Sequence, residues 1–491
     1  MSFTRHYLDT STLHNPPPSP WRARAELIRR RPRFRQIVFV AASIAFIISV
    51  LLLIRVRDES QYEWVAYGDD YPLHSAAARV RPKSPLSHKL PHKPALYTPE
   101  VANNTHAKTG PAPVVFSLIM FSEDSAAEGA VLMKSIIMYS SVPIEFHVIC
   151  DDVAQTFLEK RLRLVTRPAR NILVRFYRLS WSSMVARIER EGAITTDHSA
   201  GTPGLMKLFI HEILPPSVPR AIFIDTDAFF ITDPAQLWDA FTHLKPTTAI
   251  AMPTHPEQSA EEWHHANRIC SCIMLLDLAR LRALRLMDST AYRALNTGND
   301  GTGAQHASST HPASPPALAP PAFEAMFGKP SMDGHYKGVK LGDQGYWWAI
   351  VSHRPDVFEH LGFSWEVSSC LLEMYGTALG DDSADDAAEL HSQIHTLGTP
   401  HEGEVVLPKM LHFNCLDGTS RYYQWDGWSD PTNPLTRRWW PAVQYHIGFK
   451  WLWLNTHQSN ATLTVETVDN VVFADELFAQ QQSRRPLQQV S

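Results

Sequence analysis

The chain has 491 residues, 44% of them hydrophobic, and a formal net charge of -5. It can bury a sizeable core, and it has no basic surplus for binding nucleic acid. Cys150, Cys270, Cys272, Cys370 and Cys415 are too few for a disulfide scaffold, and the sequence leaves open which of them pair. In chain order, a cluster from Arg22 to Arg35 precedes an uncharged apolar run over 37–54, and Asp58, Glu59, Glu63, Asp69 and Asp70 follow it. The run is long enough to cross a hydrocarbon core of about 30 Å. Arginines stay on the cytoplasmic side, so the expectation is a single-pass type II protein. It has a cytoplasmic tail at 1–36, a transmembrane helix at 37–54 and a flexible, Pro- and His-rich stem at 55–112. A cleaved signal peptide fits less well, because the run lies deep in the chain and lacks a small-residue cleavage site. The span is short, which suits the thinner membranes of the Golgi or endoplasmic reticulum. In that topology Asn103 and Asn460, each two residues before a threonine, become glycan acceptors.

From residue 113 to about 470, strand and helix patterns alternate. Val114 to Phe121, Ile144 to Cys150 and Asn171 to Leu179 read as strands. A helix is expected to open on a capping box at Ser125 and Glu128, another at Asp152, and a third over Gly204 to Leu214 before Pro215 and Pro216. This order predicts an α/β, Rossmann-like domain with a mostly parallel sheet covered on both faces. The loop after the first strand is Ser122, Glu123 and Asp124, so the glycine-rich dinucleotide fingerprint is absent. Ala221 to Ile224 is an apolar interior strand that ends in Asp225, Thr226 and Asp227. Ligands of open α/β sheets bind at such carboxyl ends. Two carboxylates this close repel unless a cation or a proton lies between them; oxygen ligands suit a hard divalent ion such as Mn²⁺ or Mg²⁺, and that ion could hold a diphosphate. A solvated turn is the plain alternative for an isolated Asp-x-Asp.

The segments 131–152, 198–215, 220–238, 270–282, 341–348 and 410–415 come in the order, and at plausible spacing, of glycosyltransferase family 8. In pattern they are similar to the xylosyltransferase domain of LARGE-type enzymes, over residues 113–425. The resemblance implies a GT-A fold, a UDP-sugar donor, a bound Mn²⁺ or other divalent cation, and transfer with retention to a glycan or glycoprotein acceptor. It implies that Asp225 and Asp227 hold the metal with His412 as third ligand, and that Lys207 meets the diphosphate. Asp343 and Gln344 would open a helix facing the sugar, with Asp343 also able to serve as its N-cap. Phe121 and Ser122 would border the uridine, Thr226 the ribose, and Ser271 the donor sugar.

The chain departs from the family at two places. Cys270, Ser271 and Cys272 stand where the family commonly has Asn-Ser-Gly, which calls one donor hydrogen bond into question. Beyond His412, Gly418 and Arg421 substitute by position only for the glycine and lysine that hold the diphosphate. Two insertions interrupt the domain: 296–322, poor in large apolar residues and expected to be disordered, and 377–404, an acidic loop. Residues 471–491 are expected to form a tail. The reading is a lumenal, metal-dependent sugar transferase. A catalytically silent carbohydrate-binding or scaffold protein is the rival, and a phosphoryl or nucleotidyl transferase the other.

Overall fold

A computed structural model of the chain describes residues 111–254, 269–287, 317–369, 408–414, 416 and 421–476. The expected membrane run at 37–54, the stem to residue 110, Gly418 and the loop at 377–404 lie outside the described residues. Among the described residues, no helix is long and apolar enough to cross a membrane.

The strands, in chain order, are β1 (Val114–Met120), β2 (Ile144–Cys150), β3 (Ile172–Arg178), β4 (Arg220–Ile224), β5 (Ala228–Phe230), β6 (Ile250–Pro253), β7 (Ile273–Asp277), β8 (Phe358–Leu361), β9 (Val367–Ser368), β10 (Met410–His412) and β11 (Leu463–Val468). Eight of them form one sheet in the order β11-β3-β2-β1-β4-β7-β6-β8, and β5-β10-β9 form a second. In the large sheet only β7 runs against its neighbours, so the sheet is mostly parallel and the fold is mixed α/β, as the alternation predicts. β4 shows why its sequence does not alternate. Ala221 and Phe223 enter one core and Ile222 and Ile224 the other, so both faces are buried.

Local chemistry shifts several helix boundaries. Helix α1 (Glu123–Tyr139) opens three residues before the expected start, because Ser122 and Ser125 cap each other reciprocally. The hydroxyl of Ser125 does what a glutamate was expected to do three residues later. Helix α2 (Asp152–Leu162) is capped by Asp151 rather than Asp152. The segment expected as one helix over Gly204 to Leu214 is broken into Gly201–Leu205, a 3₁₀ turn Met206–Phe209 and Ile210–Ile213.

Two expected boundaries also move. The end of the first insertion is ordered: Ala319–Phe327 is a helix with prolines in its first turn, where their fixed φ suits the start. Its Phe323 packs edge-on against Tyr346 at 4.9 Å. The expected tail at 471 begins inside the domain, since Phe473 is fully buried against Phe209 and Asp475 pairs with Arg190.

Candidate active site

β1 and β4 run parallel, so Phe121, Ser122, Asp225 and Asp227 leave the sheet along one edge. The antiparallel partner β7 starts where β4 ends, and the Asp225 amide donates to the Cys272 carbonyl at 2.8 Å. Asp227 leads directly into β5, whose Ala228 stands opposite His412 on β10. That register is locked by the Phe413 amide, which donates to the Asp227 carbonyl at 2.9 Å. His412 Nε2 consequently lies 3.4 Å from Asp227 Oδ1. Asp225, Asp227 and His412 offer ligand atoms that all lie within 4.8 Å of one another. Two carboxylates and an imidazole suit Mn²⁺ or a similar ion. The aspartate side chains keep 28% and 27% of their exposure, so a cation reaches them from solvent.

The 3₁₀ turn that breaks the helix carries Lys207, whose side chain is buried. Its ammonium lies 2.9 Å from Asp225 and 3.5 Å from Asp343 and stands 5.1 Å from the Phe223 ring. Gly204 permits the approach: a Cβ there would meet Ala200 at 2.8 Å and sit 3.7 Å from the Asp343 carboxylate. Asp343 begins helix α3 (Asp343–His353), but it is not the N-cap. Gly342 holds that place with φ +58°, a conformation that favours glycine. The Asp343 side chain turns inward and accepts from Ser271 Oγ at 2.8 Å. Gln344 Oε1 accepts from the Ser271 amide at 3.3 Å, and its buried Nε2 has no partner among the described residues.

The charges are mutually tuned. Burial raises the Asp225 pKa and Lys207 restrains it, with Asp227 and Asp343 adding to the rise, to about 6. Burial also works against the charge of Asp227, but His412 outweighs it and holds Asp227 below its ordinary value. The converse pressure on His412, burial opposed by Asp227 and Glu366, pushes its pKa up to about 10. Lys207 is held above its usual range, since Asp225 and Asp343 overcome the burial that would neutralise it. Burial lifts Asp343, partly offset by Lys207 and Ser271.

The remaining expected residues divide. Thr226 is half-buried, with its methyl 3.3 Å from where a Cβ on Gly129 of α1 would stand. Phe121 packs partly against the core, while the Ser122 side chain is engaged in capping α1. Arg421 binds Asp124 in the first turn of α1 at 2.7 Å, so its charge is directed to the helix start. Two further carboxylates stand beside the cluster, one with a different expected role and one with none. Glu128 of α1 accepts the Tyr422 amide at 2.7 Å, and burial followed by the Asp227 charge pushes its pKa up to about 8. Glu366, fully buried, sits 3.1 Å from His412 Nδ1. The sequence offers Glu128 only as the acid of a capping box, which says nothing of Tyr422 or Asp227, and only β9-β10 pairing brings Glu366 to His412.

With this geometry in hand, the chain can be compared with known proteins. It is 30% identical over 158 residues to the mouse xylosyl- and glucuronyltransferase LARGE2, covering 31% of this chain and 20% of that protein. The human xylosyl- and glucuronyltransferase LARGE1 is 27% identical over 181 residues, or 34% and 21%. The chain thus spans about a fifth of the length of these relatives. No protein-family model matches. Among solved structures, mouse xyloside xylosyltransferase 1 overlaps 62% of this chain and 100% of its own at 18% identity and a TM-score of 0.40. The galactosyltransferase LgtC with donor and acceptor sugar analogues overlaps 67% and 96% at 10% identity and 0.38.

Proposed function

We propose that the chain is a metal-dependent, retaining glycosyltransferase of GT-A type and family 8 pattern, moving a sugar such as xylose or glucose from a UDP-sugar to a glycan or glycoprotein hydroxyl. One observation carries the reading: Asp225, Asp227, His412, Lys207 and Asp343, from four separate stretches of sequence, converge at the carboxyl edge of β4. The resemblance of segment order and the partial similarity to the LARGE enzymes support it.

In this reading Asp225, Asp227 and His412 hold the cation, Mn²⁺ for preference. When bound, the metal supplies positive charge that stabilises the departing diphosphate. Lys207 adds a buried ammonium on the same side, already oriented by its two carboxylates, so little reorganisation accompanies the reaction. Ser271 is held by Asp343 and Gln344, and the orphan Nε2 of Gln344 is a donor suited to a sugar hydroxyl. One oxygen of Asp343 faces Lys207 and the other accepts from Ser271. That occupation argues against Asp343 as a covalent nucleophile and supports front-face displacement, in which the leaving UDP oxygen helps take the acceptor proton. Phe121, Ser122 and Thr226 border the nucleoside. Arg421 and Gly418 have the weakest case, Arg421 because Asp124 holds it.

The setting proposed with this activity is the lumen of the Golgi or endoplasmic reticulum, with 37–54 as anchor. Asn460 is exposed, as a glycan acceptor must be. The test is a screen of UDP-sugars for Mn²⁺-dependent hydrolysis or transfer, with Asp227→Asn as control. Turnover lost in the variant is the expected result. A second reading, a silent sugar-nucleotide-binding protein, is favoured by the Cys270–Cys272 bridge around Ser271. It predicts Mn²⁺-dependent UDP binding without turnover of any donor. Turnover that persists in Asp227→Asn overturns both.

A further inference from the structure

We propose that the reduced chain carries a second cation site, made by Cys270, Cys272, Glu366 and His412, for Zn²⁺ or another divalent ion that favours thiolates. Cys270 and Cys272 are joined as a disulfide and, like Glu366 and His412, are buried. One ligand atom from each of the four residues lies within 4.8 Å of the others. A tetrahedral zinc with Zn–S bonds of about 2.3 Å places its two sulfurs about 3.7 Å apart, inside that spread.

Glu366 offers a carboxylate to the group. It is fully buried, one carboxylate oxygen faces His412 Nδ1 at 3.1 Å, and Oε2 has no hydrogen-bond partner among the described residues. A buried acceptor without a donor is costly, and a cation among two sulfurs and an imidazole would satisfy it. His412 stands between two donor sets: Nε2 turns to Asp227 and Nδ1 to Glu366. One set is rich in oxygen and suits a hard ion, and the other is rich in sulfur and suits a softer one.

The oxidation state of the bridge decides whether the second set exists. A dithiol reductant delivers two electrons and two protons to the disulfide, breaks its S–S bond, and leaves as its own disulfide. Zn²⁺ then displaces the two thiol protons to solvent as two Zn–S bonds form. The site goes beyond sugar transfer and shares only His412 with it. Its readout needs no donor sugar, so either reading can fail while the other stands.

The test uses the full chain, reduced with dithiothreitol, freed of reductant without air, and dialysed against Zn²⁺ or Co²⁺ alone. The reduced wild type should retain one Zn²⁺ per chain and, with Co²⁺, show a near-ultraviolet thiolate-to-metal band. The oxidised protein should show no such band and bind zinc at least about tenfold more weakly. Cys270→Ser and Cys272→Ser should lose the band, and Glu366→Gln should keep it with zinc affinity lowered about tenfold or more. Asp225→Asn should retain both zinc and band. Equal zinc binding by oxidised and reduced wild type overturns the proposal. So does a band that survives Cys272→Ser, or zinc that is lost in Asp225→Asn.

Discussion

Replacing Lys207 with methionine keeps the bulk of the side chain and removes the ammonium between Asp225 and Asp343. At 2.9 and 3.5 Å, each attraction amounts to about 5 kcal/mol at an effective dielectric near 20. Burying the ammonium takes back several kcal/mol, so the net loss should be about 3 kcal/mol. Most of it falls on Asp343, whose side chain is 6% exposed, whereas Asp225 at 28% is partly screened by water. The sign with pH follows from linkage. Both carboxylates have raised pKa values in the fold, and without the lysine they rise further. Between the unfolded value near 4 and that higher value, the folded variant holds protons that the unfolded chain has released. Its stability therefore falls as pH rises. Urea unfolding without divalent metal should show a loss of about 3 kcal/mol near pH 8 and about 1 kcal/mol near pH 5. A loss below about 1 kcal/mol near pH 8, or the same loss at both pH values, would refute the buried-pair reasoning.

Three further outcomes are expected. Gly345→Ala should destabilise by about 1–3 kcal/mol despite the better helix propensity of alanine, because its Cβ would collide with the Lys340 carbonyl oxygen; a thermal melt at or above wild type contradicts this. Glu128 has its pKa raised from 4.5 to about 8, so the wild type loses stability as pH rises between those values. Glu128→Gln should remove that loss and be more stable near pH 8 by on the order of 2 kcal/mol, with no gain near pH 4; denaturant midpoints across the range decide it. If 37–54 anchors the chain as proposed, the large domain should resist protease in sealed microsomes and Asn460 should carry glycan, whereas digestion without detergent reverses the orientation.

The sequence made the aspartate edge legible because β4 is buried on both faces and a short apolar run has few other uses. Asp225 and Asp227 announce themselves at the end of such a run; Lys207, Asp343 and His412 do not. Lys207 sits in a broken helix whose turn from α to 3₁₀ no periodicity reveals, and only the resemblance in segment order drew it to the site. The place of Ser122 after β1 suggests a nucleoside contact, while its hydroxyl caps α1, since a serine three residues on closes a capping box as well as a glutamate. Phe473 reads as tail because the short apolar run Val471 to Ala474 is followed by acidic and glutamine-rich sequence and shows no helix or strand period; its burial against Phe209 is a purely tertiary fact. Glu366 and the pairing of β9 with β10 were invisible for the same reason.

The most direct test of the account is calorimetric titration of UDP with and without Mn²⁺ into wild type, Asp227→Asn, His412→Ala and a control, His457→Ala, whose side chain is exposed away from the named cluster. If Asp225, Asp227 and His412 share one cation that holds the diphosphate, Mn²⁺ should strengthen UDP binding to wild type and control by about tenfold or more, and to neither of the other variants. That gain should shrink as pH falls through about 6, where Asp225 takes up its proton. UDP affinity that is equal in all four proteins, with and without Mn²⁺, would contradict the account and return the aspartate pair to an ordinary strand-ending turn.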